Sequence, residues 1–395
     1  MKRIFLLVCL VVFCLGCSTS DSDSDSISEG ESGLFSADGD GSGASDPGSG
    51  NGNENTQAGQ ITAGEWNDLK NWDFWNDLLF EQEETLQQNL WQFNAIKRIG
   101  IQVVNALNMP VNNAKVSLYK GDDLIFESRT DNFGETNVFI DLFQSETTTT
   151  VISEYTISVN DVTQPAPILL MEDGINTYTA NDITIENRME LAFIVDATGS
   201  MADELEFLKN DLTDVINKVQ VDNPNTTIYT GTVFYRDEGD EYVTKLSGFS
   251  KSVEETTRFI KAQSAGGGGD YPEAVHTALD ETLTGLQWGV NSKTKIAFLL
   301  LDAPPHESEA VNTSLKTSII KAAKQGVKII PIVASGIDKP TEFLMRHFAI
   351  ATNGTYVFIT NDSGIGNNHL EPTVGDYQVE FLNDLMVRLI NKYAK

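Results

Sequence analysis

Two oxygen-bearing positions follow directly on apolar runs in this sequence. Leu191-Ala-Phe193-Ile194-Val195 runs into Asp196-Ala-Thr198-Gly-Ser200, and Ala297-Phe-Leu-Leu-Leu301 runs into Asp302. An Asp-x-Thr-x-Ser spacing alternates oxygen-bearing side chains along an extended stretch, so a carboxylate and two hydroxyls can converge on one small cation. Hard cations such as Mg²⁺ take oxygen ligands at about 2.1 Å in an octahedral array and keep some of their waters. Hydroxyl ligands are neutral and leave the cation short of compensating charge, which favours a carboxylate supplied by a partner. The chemistry on offer is reception of an acidic ligand through Mg²⁺, or through Mn²⁺ or Ca²⁺.

Such residues need elements to position them. The run at 191–195 is continuously apolar, as a strand covered on both faces of a parallel sheet should be. A helical pattern follows, with Leu205, Leu208, Leu212, Val215, Ile216 and Val219 on one face. Further strand and helix segments come after it: Thr227 to Tyr235; Lys295 to Leu301, then Ser314 to Gln325; Val327 to Val333, then Pro340 to Ala351; Thr355 to Ile359, then Tyr377 to Tyr393. The alternation predicts an α/β fold with a doubly wound, mostly parallel sheet over residues 186–395. Ligands of such folds bind beyond the carboxyl ends of the strands, where Asp196 and Asp302 lie.

The stretch from about Glu190 to Lys395 resembles a von Willebrand factor type A domain. The metal-ion-dependent adhesion site of that family has Asp-x-Ser-x-Ser in a first loop, a Thr in a second, glycine-rich loop and an Asp after the fourth strand. The resemblance implies Asp196, Thr198, Ser200 and Asp302 as metal ligands, the Thr-for-Ser change keeping the hydroxyl. In Gly266-Gly-Gly-Gly269-Asp270-Tyr-Pro272-Glu273-Ala274 the sequence offers Asp270 where the Thr would lie. Asp270 is therefore expected as a variant fourth position whose charge tightens the metal and weakens its appetite for an acidic ligand. Tyr235-Arg-Asp237-Glu238-Gly-Asp240-Glu241-Tyr242 and Asp302-Ala-Pro-Pro-His306 resemble the branch of the family attached to alpha-kinases. Asp237, Glu238, Asp240 and His306 are thus candidates for a ligand-facing rim.

Two other uses of these residues have to be weighed. Asp196, Asp270 and Asp302 around a cation, with His306 nearby, describe a metal-dependent hydrolase. The chain has four histidines, no His-Glu-x-x-His pair, no Gly-x-Ser-x-Gly elbow and no Gly-Lys-Ser/Thr after the glycine run, so a non-enzymatic receptor is expected. The remaining alternative is an architectural surface protein with a vestigial metal site.

The rest of the 395 residues reads as an export and presentation apparatus. Met1-Lys2-Arg3 precedes the apolar run Ile4 to Leu15, which is an export signal too short to span a bilayer. Cys14-Leu15-Gly16-Cys17 resembles a bacterial lipoprotein lipobox, which implies lipidation of Cys17 after removal of 1–17. Residues 18–60 are rich in Ser, Asp, Gly and Asn and lack Lys and Arg, the composition of a disordered acidic tether. Their early Ser-Asp alternation resembles stretches that send Bacteroidetes-type lipoproteins to the cell surface. An outer-membrane lipoprotein exposed at the surface is expected, with the periplasmic face as the alternative.

Residues 61–96 hold Trp66, Trp72, Trp75 and Trp91 and read as a helical segment that packs its aromatics, a sugar- or partner-binding platform being the sharper alternative. Residues 97–185 carry short β-branched runs separated by turn signals, which predicts a small antiparallel β-sandwich. Its Pro110-Val111, Ala114-x-Val116 and Thr130-Asp131-x-x-Gly134 features are similar to carboxypeptidase regulatory-like and pilin-type B modules, which implies a spacer. All three cysteines lie at or before Cys17, which excludes a disulfide framework. With 27 Lys+Arg against 57 Asp+Glu, the formal charge of -30 excludes nucleic acid and leaves a lipid anchor as the only expected membrane contact.

Overall fold

A computed structural model describes residues 57–81, 87–88, 90–143 and 150–395. The expected export signal, Cys17 and the expected tether up to residue 56 fall outside the described residues. All of the described residues belong to one unit, Glu54–Lys395.

In chain order, strand β1 (Thr62–Trp66) and helix α1 (Trp72–Leu78) come first. Then follow β2 (Lys97–Val104), β3 (Lys115–Lys120), β4 (Asp123–Arg129), β5 (Glu135–Ile140), β6 (Tyr155–Val159), β7 (Val162–Thr163) and β8 (Asn176–Thr179). The α/β part runs β9 (Glu186–Asp196), α2 (Ala202–Asp222), β10 (Thr227–Tyr235), β11 (Thr244–Ser250), α3 (Val253–Lys261), α4 (Val275–Thr284) and β12 (Ser292–Leu301). It ends with α5 (Glu309–Gln325), β13 (Lys328–Val333), α6 (Lys339–Ala351), β14 (Tyr356–Ile359), β15 (Val379–Phe381) and α7 (Leu382–Ala394).

The main sheet has the order β11-β10-β9-β12-β13-β14-β1-β15. Its middle, from β10 to β14, is parallel, and the apolar runs of β9, β12 and β13 are buried on both faces as their sequences demand. Val195 pairs with Leu300 and Leu301 pairs with Val333, so Asp196 and Asp302 emerge at the same edge of the sheet within a residue of level. Helix α2 buries Leu205, Leu208, Leu212, Val215, Ile216 and Val219, the face its 3.6-residue period predicts. Helix α5 begins earlier than its apolar pattern, because the Ser308 hydroxyl accepts from Val311 N and caps it. It stops at Gly326, whose φ of 73° a glycine adopts without strain.

The sheet holds a strand that periodicity does not reveal. Strand β1, from the tryptophan segment expected to be helical, lies antiparallel between β14 and β15. Residues 379–381, expected as the start of a helix, are extended because they pair with it.

The tryptophans serve packing. Trp75 and Trp91 are fully buried, and Trp66 and Trp72 nearly so. Trp75 stacks on Phe343 at 5.8 Å and meets His347 edge-on at 4.9 Å, while Trp91 Nε1 donates to Pro340 O at 3.1 Å. Asp68 takes two bonds from Arg346, from Nε at 3.0 Å and Nη2 at 2.6 Å, and a third from Trp66 Nε1 at 3.0 Å. The segment is thereby fastened to α6.

The sandwich consists of sheets β5-β2-β8 and β4-β3-β6-β7, antiparallel except that β8 runs parallel to β2. It meets the end of the main sheet where the parallel strands begin. One buried apolar cluster runs from Phe126 and Phe139 of the sandwich to Ile319 and Phe348 of the A domain, and its edge is polar: Asn137 N and Nδ2 donate to Asn353 Oδ1 at 2.8 and 2.7 Å, and Asn112 Nδ2 donates to Lys293 O at 3.1 Å.

Candidate metal centre

The first loop is shaped by Asp196 itself. Its Oδ1 accepts from Thr198 N at 2.9 Å and Thr198 Oγ1 at 2.7 Å, and Thr198 Oγ1 lies 3.2 Å from Ser200 Oγ. Three of the expected ligands are thus one hydrogen-bonded cluster, with Asp196 and Thr198 fully buried and Ser200 exposed. Asp302 is 4% exposed.

The glycine-rich loop is stitched to the first through main-chain bonds. Gly199 N donates to Gly267 O at 3.2 Å, and Gly266 N donates to Ala197 O at 3.0 Å. Arg236 adds bonds from Nε to Ala197 O at 3.1 Å and from Nη2 to Ser264 O at 2.9 Å. Gly267 and Gly268 have φ of 76° and 71°, which side-chain-bearing residues rarely adopt. A Cβ on Gly267 would also collide with the carboxylate of Asp240. That carboxylate is committed to the loop, its Oδ2 accepting from Gly268 N at 2.8 Å and Asp237 N at 3.2 Å.

This turn presents Glu273 rather than Asp270 to the first loop. Asp270 is exposed, whereas Glu273 is 3% exposed. A Cβ built on Gly268 would lie 3.0 Å from Glu273 Oε1 and 3.4 Å from Thr198 Cβ, so the Glu273 carboxylate sits against the Asp196 loop. Glu273 N is tied to Pro304 O at 2.8 Å, which links it to the segment following Asp302. The sequence carries no signal for this choice, which follows from the positive φ of Gly267 and Gly268.

Burial is the dominant electrostatic fact. Asp196 Oδ2, Asp302 Oδ1, Glu273 Oε2 and Glu204 Oε2 are all buried without a hydrogen-bond partner among the described residues. Burial pushes the carboxyls of Asp196 and Asp302 above the usual carboxylate range, and the charge of Asp196 raises Asp302 further. Glu273 is pushed up to about 9 by burial and then by the charges of Asp196, Asp237 and Asp302. Glu204, from the first turn of α2, hydrogen-bonds Ser335 Oγ through its other oxygen. Carboxylates in this condition either keep a proton or face a cation, since an unpaired buried charge is costly.

The donor set suits a hard divalent cation: two carboxylates from Asp196 and Asp302, two hydroxyls from Thr198 and Ser200, and orphaned carboxylate oxygens beside them. Among the described residues, no three His, Cys, Asp or Glu side chains are grouped as a ready ligand set.

The rim residues divide. Asp237, 6% exposed, lies with Oδ1 2.6 Å from His306 Nε2, so these two are brought together. Glu238 is exposed and stands 3.7 Å from His276 Nε2, and Asp240 is taken up by the glycine loop.

The family model described as von Willebrand factor A domain matches residues 190–364. An ariadne-like RING finger protein, R811 of Acanthamoeba polyphaga mimivirus, is 35% identical over 118 residues, covering 30% of this chain and 11% of that protein. The alpha-protein kinase vwkA of Dictyostelium discoideum is 29% identical over 171 residues, covering 43% of this chain and 27% of that protein. The chain therefore spans a small part of the curated relatives it matches. A solved structure of BatB from Bacteroides thetaiotaomicron aligns with TM-score 0.36 and 12% identity, covering 52% of this chain and 98% of that one. With its sheet order, its loop at Asp196 and the family model's match over both, the chain carries a von Willebrand factor A domain over residues 190–364.

Proposed function

We propose that this chain is an exported, lipid-anchored binding protein whose A domain receives a carboxylate of a protein or extracellular-matrix ligand through a divalent cation. The observation that carries the proposal is the set of buried, partnerless oxygens Asp196 Oδ2, Asp302 Oδ1 and Glu273 Oε2 at the carboxyl ends of β9 and β12. Thr198, Ser200, Asp196 and Asp302 would hold the ion, Mg²⁺ or alternatively Mn²⁺ or Ca²⁺. When bound, the ion supplies compensating charge for the buried acids and an open position for the ligand's carboxylate.

The protein's own residues then set affinity and choice. Asp196 orients the Thr198 hydroxyl, and Arg236 fixes the loop by bonding Ala197 O and Ser264 O. Glu273 takes the part first expected of Asp270: its charge strengthens the hold on the cation and opposes an acidic ligand. Asp237 and Glu238 at the rim add to that opposition, so a ligand acid flanked by Lys or Arg is favoured over one flanked by acids.

We read a receptor rather than an enzyme; His306, held 2.6 Å from Asp237 Oδ1, is the imidazole a hydrolase would use, and metal-dependent hydrolysis lost in His306→Gln would contradict the receptor reading. Cys17 would carry the acyl anchor of an outer-membrane lipoprotein displayed at the surface, with the acidic tether and a pilin-type B-like sandwich as spacers. The lack of a ready cluster of three acidic or imidazole side chains among the described residues favours a second reading, an architectural protein with a vestigial site. A panel of acidic peptides and matrix proteins passed over the immobilised chain separates the two. Capture in Mg²⁺, release by EDTA and loss in Ser200→Ala support the receptor; capture indifferent to EDTA contradicts it.

A further inference from the structure

At the opposite end of the main sheet, several bases come together. A cleft of about 290 Å³ opens there, lined by Asn67 and Lys70 of the N-terminal segment, Arg98 and Asn137 of the sandwich, and Lys328 and Lys392 of the A domain. Strand β12 carries ten residues between the two ends, so the cleft lies roughly 30 Å from Asp302 at about 3.3 Å per residue. In a chain with 57 acids and 27 bases, four bases converge on this one cleft.

The two acids in its wall, Asp131 and Glu135, act on Lys328 and Arg98 and leave Lys70 and Lys392. Asp131 lies 3.3 Å from Lys328 Nζ and accepts from Phe133 N at 2.9 Å and Glu135 N at 3.2 Å, so it balances one lysine and holds a turn. Glu135 is exposed. Among the described residues, neither Lys70 nor Lys392 makes an ion pair; Lys392 Nζ donates to Tyr393 Oη at 3.2 Å and lies 4.8 Å from that ring's centre. Burial first, and among charges Lys70 before Lys328, hold the Lys392 ammonium below its usual range, against the opposing pull of Glu65 and Asp131.

We infer that this cleft is a binding site for a small phosphate-class oxyanion, held chiefly by the ammonium groups of Lys70 and Lys392. The anion class follows from the donors. A planar carboxylate is best matched by a free guanidinium fork. Arg98 spends its Nε on Asn137 Oδ1 at 2.7 Å and its Nη1 on Leu69 O at 2.6 Å. What remains are ammonium point charges, which suit a multiply charged anion with oxygens on several sides. Because three segments line the cleft, the anion would also tie the sandwich and the N-terminal segment to the A domain across the polar edge of their seam, as any ligand of the folded state stabilises it.

The test is calorimetric titration of inorganic phosphate into the whole chain at fixed ionic strength, with Lys70→Gln/Lys392→Gln and Glu135→Gln alongside. One saturable site is expected, weakened at least tenfold in the double variant and tightened severalfold by Glu135→Gln. Sulfate should compete and acetate should not, and Asp302→Ala with EDTA should leave phosphate binding unchanged. Thermal melts without phosphate check that the variants fold; with phosphate, the midpoint should rise in the parent and not in the double variant. Absence of saturable heat in the parent, equal affinity in the folded double variant, or acetate binding as well as phosphate would overturn the inference.

Discussion

Glu273 is the residue on which the candidate centre turns. Its carboxylate reaches the Asp196 loop because Gly267 and Gly268 bend the preceding chain through positive φ, leaving Asp270 in solvent. We therefore predict that Glu273→Gln weakens divalent-cation affinity about tenfold, equivalent to about 1.4 kcal/mol, while Asp270→Asn leaves it within twofold. Calorimetry on the two variants reads this directly, and the reverse order would restore Asp270 to the centre. Gly267→Ala should cost about 1–2 kcal/mol of stability, since the alanine must adopt the left-handed region and displace the Asp240 carboxylate. The placing of Asp196, Thr198, Ser200 and Asp302 at one edge of the sheet was legible in the sequence, because each lies at or just after the end of an apolar run whose strand had to be buried. The choice between Asp270 and Glu273 was not, because it depends on backbone dihedrals inside a glycine run, which no pattern of side chains records.

Elements add a contribution from far away in the chain. Strand β1 pairs with β14 through Ala63–Ile359 and Trp66–Tyr356, and with β15 through Thr62–Phe381. A chain starting at residue 186 would expose both partner edges, which are templates for association. Such a truncation is expected to aggregate or to melt well below the whole chain in size-exclusion and thermal measurements; equal stability would show that β1 is dispensable. The Asp68–Arg346 pair makes the same point with one side chain. Asp68→Ala should cost about 3 kcal/mol, because it leaves the buried Arg346 with only Glu342, at 3.8 Å, to balance its charge.

Helix α6 also carries a pH effect. His347 is fully buried between Trp75, Phe343 and Phe93, and burial, aided by the Arg346 charge, holds its imidazole down at about 3. The unfolded chain therefore binds a proton that the folded one refuses, and stability contributed by the neutral ring is lost as pH falls from about 6.5 towards 3. His347→Gln should flatten that part of the stability profile in chemical denaturation. The doubly wound sheet and the helix face of α2 could be read from periodicity. Strand β1 could not, because Thr-Ala-Gly-Glu-Trp is short, contains glycine and pairs with residues from the other end of the chain.

For the whole molecule, two sites lie at opposite ends of the main sheet: the buried acids where β9 and β12 end, and the cleft with four bases beside the start of β13. No helix among the described residues is long and apolar enough to cross a membrane. The proposed attachment rests on Cys17, so Cys17→Ser should move the protein from the membrane to the soluble fraction of cells expressing it. Persistence in the membrane fraction would contradict the acyl anchor.

On the proposed function, the buried acids around Asp196 and Asp302 bind one divalent cation. Calorimetric titration of Mg²⁺, Mn²⁺ and Ca²⁺ into the metal-stripped whole chain tests it most directly, with Asp302→Ala as the control. One saturable site, abolished by that substitution, is the predicted result. No binding of any of the three ions, or binding untouched by the loss of Asp302, would contradict it.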